Sequence, residues 1–287
     1  MARDPASGEL GAAVQSHWFS VGSICIWARP GVGAVATQSI AEPAYGPNAL
    51  DRLAAGASAT DALPELLAAD ELQAMRQVAV IDAQGRIATH TGDRCIAHAA
   101  HVIGSDHSCQ ANMMLNATVP AAMSNAFEAA SGTLAERLMA ALEAAQGEGG
   151  DVRGSQSAAM IVVPAEGEPW RRTVDLRVED HPEPLAELRR LLVLRCAYEL
   201  ADEADALLAA GRTDEAGERY RRAGELAPDS QELRFWAGLA TAQVGDVDAG
   251  AAMVRRVIEV DPNWRALLDR LQPDFAPAAE AVRRALG

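Results

Sequence analysis

The chain has 287 residues, of which 49% are hydrophobic and 23% charged, with a formal net charge of −15. This length accommodates one large domain or two. The excess of acid argues against nucleic acid and anionic membrane as partners, because both are bound through clustered cations. No run approaches the ~18 uninterrupted apolar residues of a membrane span. The opening MARDPASGEL carries an arginine and an aspartate in place of the apolar core of a secretory leader. Cys25, Cys95, Cys109 and Cys196 are too few and too scattered for a disulfide framework, so a reduced, cytoplasmic protein is expected. All 25 basic residues are arginine, which removes a phosphate-loop lysine, a Schiff base and a lysine general base from consideration.

In chain order, DPASG at residues 4–8 is a turn signal between a very short leading strand and the strand ELGAAVQSH. A second strand is expected in GVGAVATQS, residues 31–39. Helical spacing follows from Tyr45 to Leu72, broken by Gly56, with Ser58 or Thr60 as cap of the next helix. QVAVIDAQGRIATHTG reads as strand, turn over Asp82 to Gly85, strand. A further strand is expected in SCQANMML, then two alanine-rich helices over 117–147 separated near Ser131 and Gly132. SAAMIVV, residues 157–163, suits a strand covered on both faces, and RRTVDLRVED alternates in polarity. Asp175 and Arg177 then share a strand face, as a salt bridge would require.

After HPEPL, residues 181–185, the pattern is helical to the end. Gly211 matches Gly245 and Pro228 matches Pro262, both offset by the 34 residues of a tetratricopeptide repeat. Leu207, Ala216, Tyr220 and Ala223 take packing positions in that register, whereas Gly250 and Val254 depart from the repeat pattern. The expectation is an α+β domain over residues 1–185 and an all-α repeat domain over 186–287. A protein partner is expected at the repeats, together with homo-oligomerisation.

ARDPASGELGAAVQSHWFSVGS, GVGAVATQS, YGPNAL, HTGDRC, QANMM, GGDVRGSQSAA and VDLRVEDHPEPL appear in order across residues 2 to 190. In these motifs the chain resembles the domain-of-unknown-function 1028 family. The resemblance implies a four-layer αββα sandwich like that of the N-terminal nucleophile hydrolases, and it brings no established substrate. In that superfamily a processed N-terminal Thr, Ser or Cys attacks an amide carbon with its own α-amine as base. Relatives carry a threonine a few residues ahead of the Ala-Arg-Asp, but here Met1 directly precedes Ala2. Either the true start lies upstream or the protein does not use that mechanism. The unpaired backbone left by a shortened strand favours the first.

Extending the hairpin register places Ser16 and His17 beside the missing residues, so Gln15, Ser16 and His17 border the expected active centre. Trp18 and Phe19 are expected in the core. Thr37, Gln38 and Ser39 end a second strand in the same way, and His17 or His90 could serve as base to a Thr37 or Ser39 hydroxyl. Ser16, His17, Thr37 and His90 are therefore the catalytic candidates. Gln15, Gln38, Ser39, Thr91, Gln110 and Asn112 are the substrate-binding ones, with Gln15, Gln38 or Asn112 donating to an oxyanion. Met113 and Met114 are read as core. Cys95, His98, His101, His107 and Cys109 match no zinc-ligand spacing, so neither metal nor cofactor is expected. The implied activity is hydrolysis of amide bonds in small molecules or peptides. The alternative is a binding module on the same fold.

Overall fold

The computed structural model describes residues 1–287. The opening hairpin is β1 (Ala2–Arg3) with β2 (Leu10–Ser16), and one helical turn, α1 (Gly22–Cys25), leads to β3 (Ile26–Arg29) and β4 (Gly33–Ser39). Helices α2 (Tyr45–Ala54) and α3 (Ala59–Ala68) precede β5 (Arg76–Asp82) and β6 (Ile87–Thr91). Next come β7 (Ala100–Ile103), β8 (Ser108–Ala111), α4 (Val119–Ala129), α5 (Leu134–Gly147), β9 (Ser157–Val163) and β10 (Val174–Val178). The rest is helical: α6 (Pro184–Ala209), α7 (Thr213–Leu226), α8 (Gln231–Gln243), α9 (Val247–Val260), α10 (Asn263–Arg270) and α11 (Ala279–Leu286).

Two four-stranded sheets form, β1-β2-β9-β10 and β3-β4-β5-β6, beside the pair β7-β8. Every ladder is antiparallel. Period-two alternation decides what each face meets. Leu10, Ala12 and Val14 of β2, with Ala159, Ile161 and Val163 of β9, share one buried cluster with Ile26, Ala34, Ala36, Ala79 and Ile81 of the second sheet. The other face of that sheet presents Val35, Val78 and Val80 to Ala49, Leu50 and Leu53 of α2 and to Ala59, Ala62 and Leu63 of α3. Each fully buried Val, Leu or Ile contributes roughly 1.5–3 kcal/mol to holding these layers together. On β2, Gly11 leaves room for α5, since a Cβ there would stand 2.9 Å from Leu138 Cδ1. β9 is buried at all seven positions, as its unbroken apolar run requires.

The caps follow the sequence signals. Ser58 Oγ accepts from Asp61 N at 3.1 Å to start α3, and Thr133 with Glu136 forms a capping box on α5. Arg177 Nε lies 3.5 Å from Asp175 Oδ1, the expected pair. β3 and β7 were not expected: β3 is only four residues long, and the apolar Trp27 on its outer face hides in the sequence the alternation that buries Ile26 and Ala28, while β7 is largely exposed. The expected strand SCQANMML ends early, at Ala111, and Met113 adopts a positive φ of 58°. Trp18 and Phe19, expected in the core, are 58% and 62% exposed. β2 stops at Ser16, and the chain bends at Ser20 with φ 55°, so the strand's in-out alternation no longer governs those two rings.

The chain divides into two compact units, Met1–Leu192 and Val193–Gly287. The division falls inside the continuous helix α6. In the second unit the 34-residue offset resolves into helix pairs. Gly211 (φ 74°) joins α6 to α7 and Gly245 (φ 109°) joins α8 to α9, while Pro228 and Pro262 stand just past the ends of α7 and α9. Ala216 and Ala223 are buried as the repeat register requires. Gly250 is where α9 meets α8: a Cβ there would lie 2.4 Å from Gly238 O and 2.8 Å from Ala242 Cβ. The departure from the repeat pattern therefore allows a closer helix approach than a side chain would permit.

Candidate functional site

A cavity of about 370 Å³ opens in the first unit at the C-terminal ends of β2 and β4. Gln15 and Ser16 from β2, Gln38 and Ser39 from β4, and Gln110 and Asn112 from β8 and the residue following it line this space together. Six of the ten candidates read from the sequence thus converge, and all six lie at strand ends. Ser39 holds a positive φ of 71°. For a non-glycine residue this is a strained conformation that marks the rim of the site.

The other four candidates do not line the cavity. His17 is exposed, and its backbone N–H donates to Asp151 Oδ2 at 3.4 Å. Thr37 is fully buried and its hydroxyl has no hydrogen-bond partner. It shares the parity of Val35, the face of the second sheet that packs on α2 and α3. His90 Nε2 is bonded to Gln73 O at 2.7 Å. Thr91 Oγ1 shares a hydrogen bond of 2.9 Å with His101 Nδ1. Burial, with the neighbouring His90 charge adding to it, holds His101 below the usual histidine range.

The amides are organised by a residue the sequence reading passed over. Gln77, fully buried at the start of β5, accepts at Oε1 from Gln38 Nε2 (3.0 Å) and Asn112 Nδ2 (3.2 Å). Its Nε2 donates to Thr91 Oγ1 at 3.0 Å and Ala111 O at 2.9 Å. One side chain therefore ties β4, β5, β6 and β8 together behind the cavity. The available signal was a glutamine heading the otherwise apolar run VAVI.

This network decides which groups can still donate. Gln38 Nε2 also donates to Gln110 O at 3.2 Å, so both of its hydrogens are committed and its role as an oxyanion donor is lost. Gln15 Nε2 spends one hydrogen on Leu142 O at 3.2 Å, and Asn112 spends one on Gln77. Each keeps a second N–H. Ser16 Oγ accepts from Arg153 Nη2 at 3.5 Å. Arg153 is held mainly by Asp151, through Nε to Oδ1 at 2.9 Å and Nη2 to Oδ2 at 2.6 Å. Desolvation works against the Asp151 charge, but the Arg153 hydrogen bonds and charge outweigh it and keep this carboxyl below the ordinary range.

Met1 reaches the same cavity and its α-amine donates to Ser108 O at 2.9 Å. Burial lowers the pKa of that amine. Met113 and Met114 are half-buried along the cavity wall; Met114 packs against the buried cluster of Ala111, Val119 and Ala145, and Met113 departs from the expected core role. Cys25 and Cys109 also line the cavity, where burial pushes the Cys25 thiol up to about 12 and raises Cys109 as well. Neither supplies a thiolate at neutral pH. The arrangement offers neutral donors and acceptors, the hydroxyls of Ser16, Ser39 and Ser108, and a self-neutralised ion pair.

Residues 1–188 match the family described as "Family of unknown function (DUF1028)". The chain belongs to the DUF1028 family. A tetratricopeptide repeat family matches residues 207–272. The crystal structure of the DUF1028 protein SPO2555 from Silicibacter pomeroyi is similar to this chain at 31% identity and a TM-score of 0.61. It covers 67% of this chain and 85% of the other. Among curated proteins, none matches. No helix is long and apolar enough to cross a membrane. The family thus accounts for the domain that holds the cavity, and the repeat family for residues 207–272 of the second unit.

Proposed function

We propose that the first unit recognises a neutral, amide-bearing ligand, a small molecule or a peptide, in the cavity at the ends of β2 and β4. The observation that carries this is the convergence of Gln15, Gln38, Gln110 and Asn112 on one space whose charged side chains, Asp151 and Arg153, satisfy each other. Primary amides can both donate to and accept from an amide ligand, and they do so without a counter-ion. The repeat unit is read as the docking site of a protein partner. The test is calorimetric titration with a series of N-acetyl amino acid amides. Neutral members bind and the free acids and amines bind worse. Asn112→Leu weakens the neutral ligands about tenfold, the equivalent of one hydrogen bond at the upper end of its usual net value. Absence of heat with every member of the series overturns the reading.

A second reading, hydrolysis of the bound amide's C–N bond, draws on the two stacked sheets flanked by helices. That layering resembles the N-terminal nucleophile hydrolases. The specific observation in its favour is the Ser16 hydroxyl, placed in the cavity with the spare N–H groups of Gln15 and Asn112. Intact-mass analysis after treatment with a β-lactone or fluorophosphonate probe decides it. An adduct lost in Ser16→Ala supports hydrolysis, and an unmodified chain under saturating probe removes it.

A further inference from the structure

We infer that Asp151 sets the charge preference of this cavity: its carboxylate fills the anion-binding fork of Arg153 and so turns ligand carboxylates away. The inference rests on the amide recognition proposed above and names the residue that restricts it to neutral ligands. A guanidinium presents paired N–H groups in a planar fork that matches a carboxylate. Here the match is made within the chain, with Arg153 Nε donating to Asp151 Oδ1 at 2.9 Å and Nη2 to Oδ2 at 2.6 Å. Both residues line the cavity, and none of its other lining residues carries a charged side chain. The Arg153 side chain is 37% exposed and that of Asp151 9%, so a ligand meets the arginine first and the acid beneath it. The Asp151 hydrogen bonds, with its charge, hold the guanidinium above its ordinary range, and no other charge acts on it.

Local structure fixes the pair in place. Asp151 follows Gly149 (φ 103°) and Gly150 (φ 61°) in the loop from α5 to β9. Main-chain bonds pin that loop: Leu115 N donates to Gly150 O, Val152 N to Met113 O and Gly154 N to Asp151 O, each at 2.9 Å. None of them uses the Asp151 side chain. Its carboxylate accepts instead from Arg153 N at 2.9 Å and His17 N at 3.4 Å, besides the guanidinium. Arg153 Nη2 also reaches Ser16 Oγ at 3.5 Å, which brings the pair to the end of β2. A ligand carboxylate entering here meets a fork already occupied and a like charge behind it, while an ammonium meets the guanidinium. A neutral amide meets neither conflict, so the site discriminates by repulsion without added contacts. Once the Asp151 charge is removed, no side chain in the cavity balances the guanidinium, and an anionic ligand does so.

The test is calorimetry on the full chain with acetylalanine amide, acetylalanine as the free acid, and alaninamide as the cation. Asp151→Asn binds acetylalanine about tenfold more tightly than the unsubstituted protein, and added sodium chloride erases the gain. The double variant Asp151→Asn/Arg153→Gln lacks it. A folded Asp151→Asn chain without the gain, or a gain that survives in the double variant, overturns the inference. If circular dichroism shows that Asp151→Asn does not fold, Arg153→Gln decides: tighter binding of alaninamide than by the unsubstituted protein upholds the inference, and unchanged binding overturns it. Amide recognition fails separately, when the unsubstituted protein takes no acetylalanine amide. In that case a gain of acetylalanine by Asp151→Asn still upholds the role of Asp151 as internal counter-ion.

Discussion

Gln77 and His107 are buried polar side chains with opposite relations to proton concentration. Gln77 cannot titrate, and its five hydrogen bonds hold the cavity's amides in place at any pH where the fold survives. His107 is 3% exposed, bonded through Nε2 to Ser124 Oγ at 2.8 Å and stacked 4.6 Å from the Phe127 ring. Burial lowers its pKa, and Glu128 at 3.9 Å only partly opposes this. Because the unfolded chain then binds the proton more readily, the stability His107 contributes is complete above about pH 6.5. It is lost as pH falls from there toward the lowered native value. The urea midpoint accordingly drops between pH 7.5 and 5.5, and His107→Gln flattens that dependence. An unchanged slope in the variant would refute the assignment. His107 had drawn attention only as a zinc ligand that fits no spacing; its burial beside a helix serine is a tertiary fact.

At the scale of elements, hairpins, caps and repeat helices follow local chemistry, and the misses follow its limits. Turn glycines such as Gly85 (φ 81°) and Gly211 (φ 74°) stand where the sequence placed breaks. Gly46, by contrast, has no local signature. It lies in the first turn of α2 against the Trp27 ring of β3, and a Cβ would come within 2.1–2.6 Å of three ring atoms. Gly46→Ala therefore destabilises the protein by about 1–3 kcal/mol, the usual cost of overpacking, even though alanine favours helix. Chemical denaturation measures it, and a neutral or stabilising outcome would mean the ring moves aside freely.

For the whole molecule, the two compact units make a separable prediction. Gly250→Val places a branched side chain where α9 meets the backbone of α8, lowering the thermal stability of Val193–Gly287 by an amount like that of other overpacked cores, about 1–3 kcal/mol. Every residue lining the cavity lies at or before Arg153, so binding of a neutral acetyl amino acid amide there is unchanged. Titration of the variant below its first unfolding transition checks this, and a weakened ligand would show that the units are coupled.

By itself the sequence determined whatever depends on near neighbours: the hairpins, the capped helices, the 34-residue repeat, and strand ends at which Gln15, Ser16, Gln38 and Ser39 interrupt apolar alternation. Family motifs extended this to the domain as a whole. Only tertiary structure decided which strand ends meet. Thr37 and Gln38 are adjacent in sequence, yet the pleat of β4 buries the Thr37 hydroxyl without a partner and turns Gln38 to the cavity. His90 stays with Gln73 for the same kind of reason, and Gln77 becomes the hub because β4, β6 and β8 close around it. Pairing between distant strands is set by long-range packing, which no local window of residues encodes.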